Sequence, residues 1–473
     1  MINAIGIRIV PLVTICLLAG CAVQRYTPVP IVASATASQF ESRSLGDTGL
    51  GSFEERNLGR PVSSWPPKSW DLQTLSLAAL YFNPALELAR ARLATAEGAI
   101  VTASARPNPT FDFVPGVPTP YLLTQDLLLL IETAGKRRRR VQIAQNLDQV
   151  AQFDLADSAW TVVMGARLAL LNYLVASRNL ELLRSEEKVR EDQVAILEQV
   201  LSVGEITRLD VDLARIEASK TKVATRTAEG QIAEAKAALA AAIGIPVAGL
   251  DGAEFSWSNM ETPPAPESLS AVQVQRDAVL NRLDIRRSLA QYAAAEAGVH
   301  SEIAKQYPNF NIGPGYTYEE RNSFFTVGFS TSLPVFNRNQ GPIAEAEGRR
   351  KEAAAAFLQT QAQVIARSER ALAVYTAALK EVGEAQSLYQ LQETQLQIVQ
   401  QTIRAGADYR LGLDGVQIQL STLARAHLDA LARAQRALGN LEDAVQRPLA
   451  PGEMFLINPE SPALGELPRG ATR

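Results

Sequence analysis

At 310, 312, 314, 316 and 318 the chain places Phe310, Ile312, Pro314, Tyr316 and Tyr318, alternating with Asn311, Gly313, Gly315 and Thr317. After a polar turn at 319–323 the alternation resumes: Val327, Phe329, Thr331, Leu333 and Val335 stand against Gly328, Ser330 and Ser332. A period of two predicts strands. An aromatic face backed by a small polar one suits a barrel wall between lipid and water. A half-buried hairpin of a soluble protein carries the same pattern. An earlier strand pair is expected at about 110–131, where Phe111 and Phe113 alternate with Thr110 and Asp112. There 127–131 is apolar on both faces, which a two-faced strand does not explain, and 115–120 reads as an exposed loop.

Between the strands the pattern is helical. An opening helix is expected at about 72–105, stopped by Arg106-Pro107-Asn108-Pro109, and a second at about 270–306, stopped at Tyr307-Pro308-Asn309. Longer helices are expected at about 137–203 and 340–404. At roughly 1.5 Å per residue each reaches on the order of 100 Å, a rod that must pack along others. Leu180, Leu183, Val194, Leu197 and Leu201 follow a three-four alternation, as do Leu209, Leu213, Ile216 and Val223. Glu187, Arg190 and Lys220 interrupt these seams.

The two halves repeat. Asn83-Pro84-Ala85-Leu86 answers Asn281-Arg282-Leu283-Asp284-Ile285, and Glu97 answers Glu296, Pro109 answers Pro308 and Phe111 answers Phe310, these last three at an offset of 199. Farther on the offset is 202, pairing Tyr173 with Tyr375, Gly204 with Gly406, Arg208 with Arg410, Leu209 with Leu411, Asp212 with Asp414 and Pro246 with Pro448. Each half is helix, strand, strand, helix, helix, so the fold class is mainly α with a small β membrane part, built by duplication. The expected boundaries are a first repeat at 71–250, a second at 268–448 and a C-terminal tail at 449–473.

Composition narrows the class. Of 473 residues 47% are hydrophobic and only 6% aromatic, and the formal charge of −4 points to no nucleic-acid partner. Residues 1–20 read as a signal peptide, with Arg8 before a short apolar stretch. Leu18-Ala19-Gly20-Cys21 resembles the bacterial lipobox, which implies palmitate-type lipidation of Cys21 and a lipid-anchored protein; Ala22 stands where an inner-membrane retention Asp would, so the outer membrane is implied. A Pro-, Ser- and Gly-rich segment within 21–70 reads as an extended tether. No later stretch reads as a membrane helix; 160–176 comes nearest, interrupted by Arg167 and Asn172. A membrane-crossing chain of this kind must therefore do so as a barrel, and four strands cannot close one. Two, three or four chains sharing a barrel would all satisfy the hydrogen bonds.

Several motifs resemble those of the TolC family of outer-membrane efflux proteins, over about 72–448. They are Asn83-Pro84, Arg106-Pro107-Asn108-Pro109, Ala134-Gly135-Lys136-Arg137, Leu333-Pro334-Val335-Phe336-Asn337-Arg338-Asn339-Gln340-Gly341, and the paired turns at Gly204 and Gly406. The Gly-Lys-Arg and Leu-Pro-Val-Phe-Asn-Arg-Asn-Gln-Gly runs look most like the CzcC/CusC-like branch, which serves heavy-metal pumps of the resistance-nodulation-division type. The resemblance implies a homotrimer whose 12-stranded β-barrel continues as an α-helical periplasmic tunnel. It also implies a periplasmic adaptor (membrane fusion protein) and an inner-membrane pump as partners.

In that family the helix-helix turns close the channel and meet the adaptor, which assigns Gly204, Glu205, Gly406 and Ala407 to adaptor contact. Asp408 fits a ring of negative potential at the tip, and it equally fits a helix N-cap. Arg404 and Arg410 are spaced to pair with Asp408 or Asp414 and hold a gate shut. The basic run at 136–140 is expected either to meet anionic headgroups of outer-membrane lipids, through Lys136, Arg137 and Arg138, or to be a solvated turn. No metal centre is expected: His300 and His427 stand far apart and no free thiol remains. No cofactor and no enzyme signature is read. The function expected is a passive exit duct of a tripartite efflux system, heavy-metal cations among its cargo. The alternatives are the duct of a type I protein secretion system and, in another class, a periplasmic adaptor lipoprotein.

Overall fold

The computed structural model describes residues 26–61, 64–116, 122–265, 270–406 and 410–449, except the side chain of Arg410. The signal segment, Cys21 and the tail beyond 449 lie outside these residues. The chain divides into two units, one up to Ser42 and one from Arg43. In the first, the described part holds one helix, α1 (Ala33–Glu41), with no buried residue.

The second unit opens with α2 (Thr48–Leu58), β1 (Ser69–Trp70), α3 (Leu72–Phe82), α4 (Pro84–Ser104), β2 (Thr110–Pro115), β3 (Leu122–Ile131), α5 (Lys136–Ser202) and α6 (Arg208–Ile243). A 3-10 turn (Val247–Leu250) and β4 (Glu254–Phe255) lead into α7 (Ala271–Asn281) and α8 (Leu283–Ala304). Then come β5 (Phe310–Glu319), β6 (Asn322–Thr331), α9 (Gln340–Arg404) and α10 (Arg410–Val445). The segment expected as an extended tether is instead partly helical. Asp47 caps α2 by accepting the N–H groups of Gly49 and Leu50 at 2.7 and 3.0 Å, and Leu50 and Phe53 are fully buried. Apolar burial outweighs the flexible composition here.

Each opening helix is broken where one continuous helix was expected. Asn83 closes α3 and caps α4, its side chain accepting from Ala85 N–H at 3.0 Å, with Pro84 at the first helical position. Arg282 stands at the equivalent break between α7 and α8. Proline lacks the N–H that would continue the helix, which explains the first break; the second is held by the Arg282 guanidinium, chelated by Asp284 at 2.9 and 2.7 Å.

The four long strands form one antiparallel sheet in the order β2-β3-β5-β6. Helices continue this order: α4 packs on α5, α5 on α8, and α8 on α9. Toward the helix-helix turns the wall becomes α6-α5-α10-α9, since α5 packs on both α6 and α10, and α10 on α9. With 67 and 65 residues, α5 and α9 are each about 100 Å long at about 1.5 Å per residue.

One core lies among α2, α3, α5 and the end of α6, with Trp70, Leu75, Leu170 and Ile243 fully buried. A second gathers Tyr375, Leu431, Leu438 and Leu441 between α7, α9 and α10. Between α5 and α6, Leu180 and Leu183 pack on Ala228. The Leu209, Leu213, Ile216, Val223 series does not face this hairpin's own seam, which is lined by Val211, Thr221, Thr225 and Ala228. Helix α5 does contain a stretch apolar enough to span a membrane, with a mean hydropathy of 1.4, but half of it is buried within the protein. Within that helix Arg167 is buried, 3.4 Å from Glu442 of α10 and over the Trp257 ring at 4.8 Å.

Candidate functional site

In an antiparallel ladder, directly opposed residues share a face. The register Phe111–Leu127 and Phe113–Gln125, Leu129–Ile312 and Ile131–Phe310, and Ile312–Phe329 and Pro314–Val327 therefore sets one aromatic and aliphatic face across all four strands. Phe310 and Phe329 are tilted ring neighbours at 5.7 Å, as are Tyr316 and Phe325 at 5.4 Å. The other face carries Thr110, Asp112, Thr124, Asp126, Asn311, Thr317, Thr326 and Ser330.

The register also accounts for the apolar run at 127–131. Leu128 and Leu130 fall on the polar face, where Leu128 lies beside Gly328: a Cβ on that glycine would stand 3.6 Å from the leucine side chain. A Cβ at Gly313 would run into the Leu127 carbonyl, so the close approach of β3 and β5 requires glycine there. Leu128 thus fills room that glycines leave, a cross-strand arrangement invisible from one strand's alternation. On the same face Asp112 and Asp126 are directly opposed, and Asp126 extends past Gly315 toward Thr326.

Below the sheet, the basic run ties chain segments together. Lys136 Nζ donates to the Tyr307 carbonyl at 2.6 Å and to Asn309 Oδ1 at 2.5 Å, and Thr133 Oγ1 donates to the Pro308 carbonyl at 2.7 Å. Burial holds the Lys136 ammonium below its ordinary range, opposed by the charge of Glu132. Arg137 donates to the Ser104 carbonyl at 2.6 Å, and Arg140 forms a two-pronged ion pair with Glu132. That hydrogen-bonded pairing with Arg140 holds the Glu132 carboxyl below its usual range. Arg137 and Arg138 are exposed, while Lys136 is partly covered. Sequence reasoning gave the run a surface role and missed this joinery, because the acceptors of Lys136 lie about 170 residues away and that of Arg137 lies 33 away.

The helix-helix turns rest on Gly204 at φ 82° and Gly406 at φ 101°, left-handed values that glycine adopts without strain. At the first turn Thr207 caps α6: its backbone N–H and hydroxyl both donate to Asp210 Oδ2, at 2.9 and 2.6 Å, and the Asp210 N–H donates back to the Thr207 carbonyl at 3.2 Å, in a capping box. Glu205 follows in that turn, and its N–H donates to the Val200 carbonyl at 3.3 Å. The equivalent positions of the second turn hold Tyr409 and Gly412, which cannot repeat this box. Ala407, Asp408 and the Arg410 side chain lie outside the described residues, so their spacing from Asp414 is not part of the geometry. Arg404 is exposed in the last turn of α9. Asp414 is buried, its Oδ2 without a hydrogen-bond partner, and its carboxyl is pushed up by burial and by the charge of Asp192 on α5.

Among the described residues no three His, Cys, Asp or Glu side chains are grouped to hold a metal. His427 instead stacks on Tyr389, with ring centroids 5.9 Å apart and planes 16° apart, and burial lowers its pKa.

The family model for outer membrane efflux protein matches residues 274–445, the second repeat. The cobalt-zinc-cadmium resistance protein CzcC of Cupriavidus metallidurans is 26% identical over 277 residues, covering 58% of this chain and 64% of the relative. The chain thus matches less than two thirds of that relative's length. The pyoverdine export outer membrane protein OpmQ of Pseudomonas aeruginosa is 22% identical over 321 residues, covering 64% of this chain and 67% of OpmQ. The crystal structure of CusC, solved in a study of its folding and transmembrane channel formation, shares the fold at a TM-score of 0.64 and 16% identity, over 90% of this chain and 99% of CusC. The second repeat thus matches the outer membrane efflux protein family, and the chain as a whole is similar to CzcC and shares the fold of CusC.

Proposed function

We propose that this chain is the outer-membrane exit duct of a tripartite efflux system, a passive channel fed by an inner-membrane pump through a periplasmic adaptor. One observation carries the reading. A four-stranded sheet with an aromatic face ends in unpaired edges at β2 and β6, and each strand continues into a helix of one wall. In lipid, open edges cost several kcal/mol per unpaired group, so such a sheet serves only as a segment of a shared barrel. Three copies give the twelve strands of the homotrimer that the family resemblance implies. The aromatic face then meets lipid and the polar face lines the duct.

The two repeats at 71–250 and 268–448 build barrel and tunnel together, and Cys21 anchors the chain to the outer membrane through its acyl chains. Arg137 and Arg138, exposed just below the sheet, meet anionic headgroups, while Lys136 braces the joint behind them. Gly204, Glu205, Gly406 and Ala407 meet the adaptor. Asp408, Arg404, Arg410 and Asp414 belong to the gate, at a second turn that lacks the capping box of the first. Heavy-metal cations are the cargo favoured by the likeness to CzcC, whose name records cobalt, zinc and cadmium resistance. The likeness to OpmQ, named for pyoverdine export, supports a small organic cargo as the second reading.

Single-channel recording of the purified protein in a planar bilayer tests the duct, with native mass spectrometry for the copy number. Cation-preferring openings that widen on Asp408→Asn support it. Inserted trimers that stay silent even with both turns loosened would overturn it and favour an adaptor role.

A further inference from the structure

Where the sheet gives way to the helices, an open cavity of about 800 Å³ lies against its polar face. The opposed residues Leu130, Asn311 and Ser330 form one wall, with the Asn311 amide donating to Ser330 Oγ at 3.3 Å. Two lysines line it, Lys136 at the start of α5 and Lys305 just past the end of α8. Among the described residues no carboxylate does. The segment 332–337 between β6 and α9 supplies another wall, and its Leu333, Val335 and Phe336 are 73%, 64% and 99% exposed.

The charge facing this cavity is positive. An ammonium carries three N–H donors. At Lys136 two of them serve the Tyr307 carbonyl and Asn309 Oδ1, and the third has no protein acceptor among the described residues. Lys136 also opens α5 behind Gly135, which offers no capping side chain, so the positive end of a 67-residue helix adds to its field. Nearby carboxylates are engaged elsewhere. Glu132 pairs with Arg140, and Glu302 pairs with Lys305 at 2.6 Å while accepting from the Asn339 amide at 3.0 Å. The charge of Lys305 adds to the lowering of the Lys136 pKa, so the two ammonium groups repel one another. An anion between them relieves that repulsion, whereas a cation finds no ligand of opposite charge in the walls.

We propose that this cavity binds an amphipathic organic anion from the water path, with its phosphate or carboxylate group between Lys136 and Lys305 and its apolar body against Leu333, Val335 and Phe336. The proposal rests on the duct reading, which turns the polar face of the sheet toward water and so opens the cavity to a passing solute rather than to lipid. Charge-assisted hydrogen bonds from two ammonium groups hold the oxyanion. Apolar side chains left open beside them favour a ligand with a hydrocarbon part over a bare inorganic ion. The volume is that of a small-molecule site, in the range of roughly 300–1,000 Å³. Asp112 and Asp126 stand farther along the same face, so the path carries opposite charge at two levels. An anion is held at the foot of the sheet, and cations are favoured above it.

The test is calorimetric titration of the full chain in neutral detergent with naphthyl phosphate, a phosphate on an apolar body, and with naphthol as its uncharged counterpart. The ester should bind once per chain, and naphthol about tenfold more weakly or worse. Lys305→Gln should weaken the ester by about tenfold, and so should Lys136→Gln. Because Lys136→Gln also loses the brace to Tyr307, Lys305→Gln carries the decision. Lys351→Gln, an exposed lysine elsewhere on α9, should change nothing. Glu302→Gln should tighten binding by freeing Lys305, an effect that damage to the fold does not produce. Equal affinity for naphthol, an affinity unmoved by Lys305→Gln, or weaker binding in Glu302→Gln would each overturn the oxyanion site. In phosphatidylcholine nanodiscs, added phosphatidylglycerol should leave the titration unchanged. Loss of ester binding there would give the cavity to a lipid headgroup and overturn the solute. Single-channel recording separates this proposal from the duct. A channel that conducts yet binds no ester refutes the site and leaves the duct standing, whereas a chain that binds the ester and never conducts refutes the duct and the water-path origin with it.

Discussion

Asn83 and Arg282 stand at the same break in the two halves of the chain and reach for the same target. The Asn83 amide donates to the Ala242 carbonyl at the end of α6, at 2.9 Å. The Arg282 guanidinium donates to the Asp443 and Ala444 carbonyls at the end of α10, at 2.8 and 3.0 Å. In each half, then, a polar side chain at the kink caps the returning helix and satisfies carbonyls that helix geometry leaves unpaired. Two unrelated residue types perform this one task at corresponding positions.

The chemistry at the two kinks predicts unequal costs. Asn83→Ala removes one neutral bond and one helix cap, a loss of about 1–2 kcal/mol. Arg282→Ala strips a buried cation from Asp284 and two carbonyls, a loss of about 3–5 kcal/mol. Thermal melts of the purified protein, followed by loss of helical circular dichroism, should show the larger drop for Arg282→Ala. Equal drops would mean that the caps are not what holds the kinks.

This pairing also shows how far the chain's own order can be read. The Pro109–Pro308 and Gly204–Gly406 matches and the alternation of 310–318 were enough to infer strands, long helices and duplication, since those patterns are local. The helix breaks were harder to see: Arg282 bears no mark of a helix stop, and its acceptors lie about 160 residues away. The exposed strip on α6 was legible as a seam but not as one facing outward, because periodicity reports that a face is apolar and not which neighbour it meets. At the turns, glycine at positive φ is a local signal, whereas the burial of Asp414 against Asp192 is tertiary and leaves none.

Glu54 of α2 gives a pH prediction. Its side chain is fully buried, neither carboxylate oxygen has a hydrogen-bond partner, and burial, with the charge of Asp71 added, pushes its pKa up to about 8. An acid whose pKa is raised on folding favours the folded state most below its unfolded value of 4.5 and loses that advantage as pH rises through about 8. Docking of α2 should therefore weaken between about pH 4.5 and 8, by at most a few kcal/mol. Hydrogen exchange over 48–58 should quicken with pH beyond the intrinsic chemical rate in the native protein. Glu54→Gln should abolish that excess, and an unchanged excess in the variant would assign the pH dependence to another group.

Asp112 and Asp126 give the last prediction. They are directly opposed on the polar face of the sheet, where like charges cost stability rather than add it. Thr326 and Gly315 continue the same row, so no cation from the sheet offsets them at that level. If three copies close the proposed barrel, the row repeats as a belt of carboxylates facing the water path and raises the local concentration of cations. Asn at both positions should leave channel insertion intact and lower the cation preference, read as a reversal potential shifted toward zero in a salt gradient. The double variant should also tolerate heat slightly better, by about 1 kcal/mol, once the repulsion is gone. A reversal potential unmoved by the double substitution would place the selective step at the turns, and the barrel would then be a wide and indifferent exit.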